Sequence, residues 1–231
     1  MGEDGHSLSA RVFHVLREEI LSGKYKRDEE LKEKTIGEEL GVSRTPVREA
    51  LRQLEMEGLV TIIPNKGAFV VGVSQDDIRD IYEIRSLLEG LCAKWAAKHI
   101  QEKELQELEE NIFLTDFHIE KGHEDQILGL DNRFHEILYE ACGSKVLNHL
   151  LSDFHHYVQR IRKVSLADTR RAKDSNSEHR KIVEALKEHD QEGAERLANE
   201  HIMHAIRSYN CCGWDKLLNT NSMEDRNDGK N

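Results

Sequence analysis

Gly41-Val42-Ser43-Arg44-Thr45-Pro46-Val47-Arg48-Glu49-Ala50-Leu51 is the stretch whose reading decides the fold. Ser43 and Thr45 offer hydroxyls to the free N–H groups of a helix start, and Pro46 suits a first turn, where its missing N–H costs nothing. Behind them Val47, Ala50, Leu51 and Leu54 recur at helical spacing and define a face to be buried. Arg44, Arg48 and Arg52 share the opposite face. Such a helix suits a DNA major groove, where arginine pairs bidentately with guanine and a helix N-terminus can sit on a phosphate. Upstream, Thr35-Ile36-Gly37-Glu38-Glu39-Leu40 reads as a short helix, and Gly41-Val42 as the tight turn between the two. Downstream, Val60-Thr61-Ile62-Ile63 and Ala68-Phe69-Val70-Val71 are β-branched and aromatic runs on either side of Pro64-Asn65-Lys66-Gly67, the pattern of a hairpin. Helix, turn, helix and hairpin together predict a winged helix-turn-helix.

Ser43 to Leu51, followed by Leu54, Glu57-Gly58-Leu59-Val60, Pro64, Gly67 and Val70, closely resembles the DNA-binding domain of the GntR family of bacterial transcription regulators. The resemblance implies DNA contacts from Lys34, Ser43, Arg44, Thr45, Arg48 and the wing residues Asn65, Lys66 and Gly67. Lys34 stands where the family commonly has arginine, so its contact is expected to reach phosphate only. Lys24 to Leu31 also departs from the family, which usually carries Pro-Gly a few residues before the leucine; a local loop change is expected there.

Composition bounds the remainder. The 231 residues are enough for two modest domains, and 38% hydrophobic residues can fill their cores. No apolar run approaches the roughly 18 residues of a transmembrane helix, and Met1 to His6 lacks the basic-then-apolar layout of a signal peptide, so a cytoplasmic protein with no membrane partner is expected. Cys92, Cys142, Cys211 and Cys212 form no C-x-x-C pair, which reads as reduced thiols. The net charge of −11 argues against indiscriminate nucleic-acid binding. Residues 1–74, however, hold 11 Lys and Arg against 13 Asp and Glu, so all but −2 of the charge lies beyond them. Local phosphate contacts remain open to this half, with weak non-specific binding and strong salt dependence.

Along the chain, Val12, Leu16 and Ile20 predict an amphipathic first helix packing behind the helix-turn-helix. Gly72 to Asp77 reads as a linker, with Ser74 and Asp77 spaced as a capping box. Beyond it nothing reads as strand. Ile81, Ile84, Leu87, Leu88, Leu91, Trp95 and Ala96 form one helical stripe, and Leu105, Leu108, Ile112 and Leu114 another. Further helices are expected over about 124–140, 144–164, 177–188 and 191–209, making an antiparallel bundle. The chain is therefore expected to be mainly α: a winged helix-turn-helix over 8–73, an all-helical domain over 74–210 that binds effector and metal and dimerises, and a polar, disordered or loosely docked tail over 211–231.

Polar residues on the bundle's apolar stripes are the second functional signal. Asp131 and His135 sit one turn apart on the face of Leu128, Phe134 and Leu138. His179 begins the stripe Ile182, Val183, Leu186, and His201 lies on the stripe Ala194, Leu197, Ala198, Ala205. Leaving such groups buried and unpaired would cost on the order of several kcal/mol, and one divalent ion would satisfy them together. His204 and the pair His155-His156 are alternative ligands. His189, like His99, His118, His123 and His149, reads as a surface or turn residue.

The same residues extend the resemblance. Asp131-x-x-Phe134-His135, Glu178-His179, His189-Asp190 and His201 resemble the all-helical effector domain of the FadR-type branch, the FCD domain. It implies Asp131, His135, His179 and His201 as metal ligands, a small carboxylate effector in the same cavity, and Arg85 facing that cavity. Zinc is the foremost candidate; nickel, manganese and iron also accept this mixed nitrogen and oxygen set. The function implied is a ligand-responsive regulator that binds a palindromic, double-stranded operator as a homodimer. Two other readings fit less well: a metal-dependent enzyme fused to a DNA-binding module, and a helical domain that only dimerises. Against the enzyme, His135-Glu136-Ile137-Leu138-Tyr139 has Tyr139 where H-E-x-x-H needs its second histidine.

Overall fold

The computed structural model describes residues 7–212, with side chains through Ser208, so most of the expected tail lies outside the described residues. The chain divides into two compact units between Gln75 and Asp76.

In the first unit, α1 (Leu8–Leu21) packs on α3 (Arg44–Met56), with α2 (Glu33–Leu40) between them in sequence. Its core is the predicted one: Val12, Leu16 and Ile20 bury against Val47, Ala50, Leu51 and Leu54. Each large aliphatic side chain buried this way contributes roughly 1.5–3 kcal/mol. The turn between α2 and α3 depends on two glycines. Gly41 caps α2 with φ 65°, and a Cβ on Gly37 would lie 2.9 Å from the Val42 carbonyl oxygen. The Val42 N–H donates to that same Gly37's carbonyl at 2.9 Å.

The wing is larger than the hairpin expected. β2 (Val60–Ile63) pairs antiparallel with β3 (Gly67–Val70), and β1 (Glu30–Leu31) adds to the other edge of β3, giving the order β1-β3-β2. Leu31 pairs with Ala68, and Ile63 with Gly67. Two residues are too short a run to show alternation, so β1 left no readable pattern. At the wing tip Pro64 precedes Asn65 at φ 61°, the geometry of a type II turn, and Lys66 N–H donates to the Ile63 carbonyl at 3.0 Å.

The second unit is all helical: α4 (Gln75–His99), α5 (Glu102–Lys121), α6 (Glu124–Ala141), α7 (Lys145–Leu166), α8 (Thr169–Lys187) and α9 (Gln191–Cys212). Phe134, Leu138, Ile182, Leu186, Ala194 and Ala198 are among its buried core. Two expectations change. α8 begins at Thr169 rather than near 177, because Asp168 caps it by accepting from Arg170 N–H at 2.8 Å and Arg171 N–H at 3.2 Å. Its first turns bury Arg171, Ser175 and Asn176, a polar face that apolar periodicity does not reveal. In α4 the apolar stripe is buried only in part: Ala96 is in the core and Leu88 and Leu91 pack against it, but Ile84, Leu87 and Trp95 are 45%, 69% and 38% exposed, while Tyr82, Arg85, Glu89, Cys92 and Ala93 face inward. Leu114, added to the α5 stripe, is also exposed. Among the described residues no helix is long and apolar enough to cross a membrane.

Candidate functional site

The first unit carries the residues that the resemblance implies as DNA contacts. Lys34, Ser43, Arg44, Thr45, Arg48, Asn65, Lys66 and Gly67 are all exposed. A groove of about 400 Å³ runs between α2, α3 and the wing, lined by Glu33, Lys34, Arg44, Arg48, Arg52 and Gly67 among others. Ser43 is the N-cap of α3, but its side chain makes no capping hydrogen bond, and Thr45 lies inside the helix. The expected capping is therefore absent, and the first-turn N–H groups lack that partner, which is the condition for a helix N-terminus to receive an anion. Two of the cations are not bare. Lys34 pairs with Glu38 at 3.7 Å, and Arg48 is held by Glu33 on α2.

The second unit gathers its histidines. His135 on α6, His179 on α8 and His201 on α9 are buried, and each offers a ring nitrogen within 4.8 Å of the others. His179 Nε2 and His201 Nε2 are 3.2 Å apart. Two nitrogens about 2.1 Å from one tetrahedral ion would be separated by about 3.4 Å, so this spacing fits shared ligation.

Each remaining ring nitrogen is oriented by its surroundings. His201 Nδ1 lies 2.7 Å from Glu178 Oε2, and His135 Nδ1 lies 3.1 Å from Glu89 Oε2. A carboxylate on Nδ1 fixes that nitrogen as the N–H donor and leaves Nε2 as a lone-pair ligand. His179 is oriented by stacking, its ring parallel to Phe134 with centroids 3.7 Å apart. Burial drives His179 well below the ordinary histidine range, and the neighbouring His201 adds to it; burial also lowers His201. Neutral imidazoles are the form a metal needs. Burial opposes ionisation of Glu178, but the hydrogen bond and charge of His201 and the charge of Arg171 lower it to about 2.

Asp131 stands beside the three histidines rather than among them. Its Oδ1 is 3.7 Å from His179 Nε2, while Oδ2 is ion-paired with Arg162 of α7. Burial alone would raise this carboxyl, but Arg162 first and His179 next hold it far below the usual range. Oδ1 thus faces the cluster as a fourth donor while Oδ2 keeps its arginine.

Two family models match the chain: bacterial regulatory proteins of the gntR family over residues 8–70, and the FCD domain over residues 80–204. The chain belongs to the GntR family, in its FadR-type, FCD-containing branch. It is 31% identical over 195 residues to the HTH-type transcriptional regulator YdhC of Bacillus subtilis, spanning 84% of this chain and 87% of that protein. It is 27% identical to the HTH-type transcriptional repressor RspR of Escherichia coli, over 87% of this chain and 88% of that protein. The solved structure of E. coli McbR/YncC shares the fold, with TM-score 0.69, 24% identity and coverage of 89% of this chain and 98% of that one. This GntR-family member is accordingly a DNA-binding transcription regulator and not an enzyme.

Arg85, which the regulator's sequence placed at the cavity, is there and is 1% exposed. It is not vacant. Its Nη2 donates to Glu89 Oε1 at 2.6 Å, and the same oxygen accepts from the Tyr139 hydroxyl at 2.6 Å. Glu89 Oε2 faces His135, so one buried carboxylate touches both the arginine and a histidine of the cluster. Arg85 Nε is left without a hydrogen-bond partner. The narrow cavity among Arg85, Asp131, His135, Arg162, Arg171 and His201 measures about 20 Å³. That is room for one water or ion, not for a carboxylate ligand. Of the alternative ligands, His155 instead reaches Asn132 Oδ1 at 2.9 Å, and His204 bonds Glu178 Oε1 at 3.0 Å from a half-exposed position. His189 lies at a turn with φ 53° and bonds the Ala97 carbonyl at 2.7 Å. Arg162 and Arg171 were missed by sequence reasoning. The signal for Arg162 was present, since Leu151, Val158 and Arg162 recur at helical spacing and place an arginine on a buried stripe.

Proposed function

We propose that this regulator binds a palindromic operator as a homodimer, through Lys34, Ser43, Arg44, Thr45, Arg48, Asn65, Lys66 and Gly67 of a domain over 8–73, and senses a small carboxylate through a metal-containing domain over 74–210. The observation that carries the sensing half is the convergence of three buried histidines from three helices, two of them aligned by the carboxylates of Glu89 and Glu178. His135, His179 and His201, with Asp131 Oδ1, would hold a divalent ion; zinc suits the nitrogen-rich set best, with nickel, manganese or iron also compatible. With these four donors in place, such an ion would take a ligand oxygen by expanding its coordination beyond four. Arg85, with its unpaired Nε, would supply the charge. Because the cavity is small, the carboxylate must displace side chains to enter, and the arginines of the cavity are the groups it can move by competing for their partners. Homodimerisation is supported by the outward apolar row Ile84, Leu87 and Trp95 on α4, a face a second copy would cover. A cytoplasmic location follows from acting on operator DNA.

Elemental analysis of freshly purified protein, joined to a thermal-shift screen of organic, sugar and amino acids with and without chelator, tests this. Stoichiometric metal and a carboxylate-dependent shift abolished by chelator are the expected results. Metal-free protein that ignores every acid would leave the bundle as a dimerisation domain.

A further inference from the structure

Glu33 opens α2, and Arg48 projects from α3 towards it. Arg48 Nε donates to Glu33 Oε1 at 2.9 Å and Arg48 Nη2 to Glu33 Oε2 at 2.7 Å. The pair is bidentate, joins the two helices of the reading motif and sits in the groove lined by α2, α3 and the wing. A guanidinium carries five N–H donors in one plane. The carboxylate takes the edge formed by Nε and Nη2, which leaves the edge formed by Nη1 and the second Nη2 hydrogen. That remaining edge is the fork that meets O6 and N7 of guanine. Since the guanidinium is planar, a carboxylate clamped on one edge fixes the direction of the other.

Charge acts in the same sense. A lone arginine on this surface is drawn to any phosphate, but an arginine neutralised by Glu33 has little net attraction for the backbone and keeps its geometric preference for a base edge. A second acid repeats the arrangement, since Glu38 lies 3.7 Å from Lys34. The near balance of charge over residues 1–74 is consistent with a surface that suppresses indiscriminate binding.

We infer that Glu33 is a specificity-determining residue of this regulator: it positions Arg48 for a guanine and removes its attraction for phosphate, so that its carboxylate weakens binding to wrong sequences more than to the operator. This rests on the reading that Arg48 contacts DNA bases. Surface ion pairs add little to stability, so the effect belongs to discrimination and not to folding.

The full chain is used to select duplexes from a random pool, and affinities for a selected and a scrambled duplex are then measured across a sodium chloride series for wild type, Glu33→Ala, Arg48→Ala and the double variant. Glu33→Ala should bind the scrambled duplex at least about threefold more tightly, with the slope of log affinity against log salt steeper by about 0.9, the increment of one added phosphate contact. Its preference for the selected duplex should fall, and its melting temperature should hold. The double variant should match Arg48→Ala. Unchanged preference and slope in Glu33→Ala, with Arg48→Ala still losing preference, overturns the role of Glu33 alone. An equal loss on both duplexes with a lowered melting temperature makes Glu33 structural and also overturns it. If Arg48→Ala behaves as wild type, the base-contact reading itself fails.

Discussion

His135, His179 and His201 are an arrangement that burial alone would not favour, because three imidazoles and a carboxylate have been withdrawn from water into one small space. Each neighbouring side chain narrows what they can do: Glu89 and Glu178 leave Nε2 as the ligand atom on two rings, and stacking on Phe134 aims the third. His179→Ala and His201→Ala should therefore purify without stoichiometric metal and melt at lower temperature. His189→Ala should keep its metal, since that ring bonds the Ala97 carbonyl and faces no member of the cluster, although losing a half-buried hydrogen bond should cost about 1 kcal/mol. Elemental analysis separates the three, and equal metal content in all would remove the assignment. Glu89→Gln tests the layer behind: competition against a chromophoric chelator should show metal affinity lower by about 10- to 100-fold, the usual consequence of losing a carboxylate behind a ligating histidine. At this scale the sequence was informative wherever a polar residue interrupted an apolar stripe, as at Asp131, His135, His179 and His201. It was silent on pairings across helices, so the Arg162 partner of Asp131 and the Glu33 partner of Arg48 emerged only when the chain was folded.

α3 and α4 show why some elements were legible and others not. α3 is amphipathic in the simple sense: Val47, Ala50, Leu51 and Leu54 are apolar and buried, and its arginines are outside, so periodicity gave its facing directly. α4 inverts that rule. Its inward face holds Arg85, Glu89 and small residues such as Ala93 and Ala96, while Ile84, Leu87 and Trp95 look outward. Hydrophobic spacing drew Ile84, Leu87 and Trp95 into the core stripe beside Ala96, because a buried ion pair such as Arg85–Glu89 reads as surface in a sequence. An exposed apolar row of this length asks for a cover, which under the proposed homodimer a second copy of the chain would supply symmetrically. Leu87→Glu, at the most exposed point of the row, should leave the fold intact but shift the particle from dimer to monomer. Light scattering behind size exclusion reads the mass, and circular dichroism confirms the helices. A Leu87→Glu protein that remains dimeric would move the interface elsewhere. β1 and the early start of α8 are the other departures, one too short to carry a pattern and the other polar on its buried face.

Across the whole molecule, the two units are joined covalently by the few residues between Val70 and Gln75, and α4 is the element that both follows this connection and carries Arg85. Under the proposed function Glu89 makes α4 the route for a signal, because a carboxylate that draws Arg85 away from Glu89 also alters the group that holds His135. Binding at the metal would then be coupled to the position of α4, and through the connection to the spacing of two recognition helices, which must match half-sites about 34 Å apart or a multiple of it. The coupling has a natural size. Allosteric free energies of about 1–3 kcal/mol correspond to a 5- to 150-fold change in operator affinity between effector-bound and effector-free protein. That change should vanish in Arg85→Ala, which loses the charge for the ligand, and after metal removal, which loses its coordination position, while both proteins still bind the operator. Reciprocity supplies a second check, since operator DNA must change effector affinity by the same factor. Titration of labelled, selected duplex with wild type and Arg85→Ala, each with and without the acid found by thermal shift, measures the first quantity. A full effector response in Arg85→Ala would exclude the arginine from the route and leave the Glu89–His135 contact as the link between α4 and the cluster.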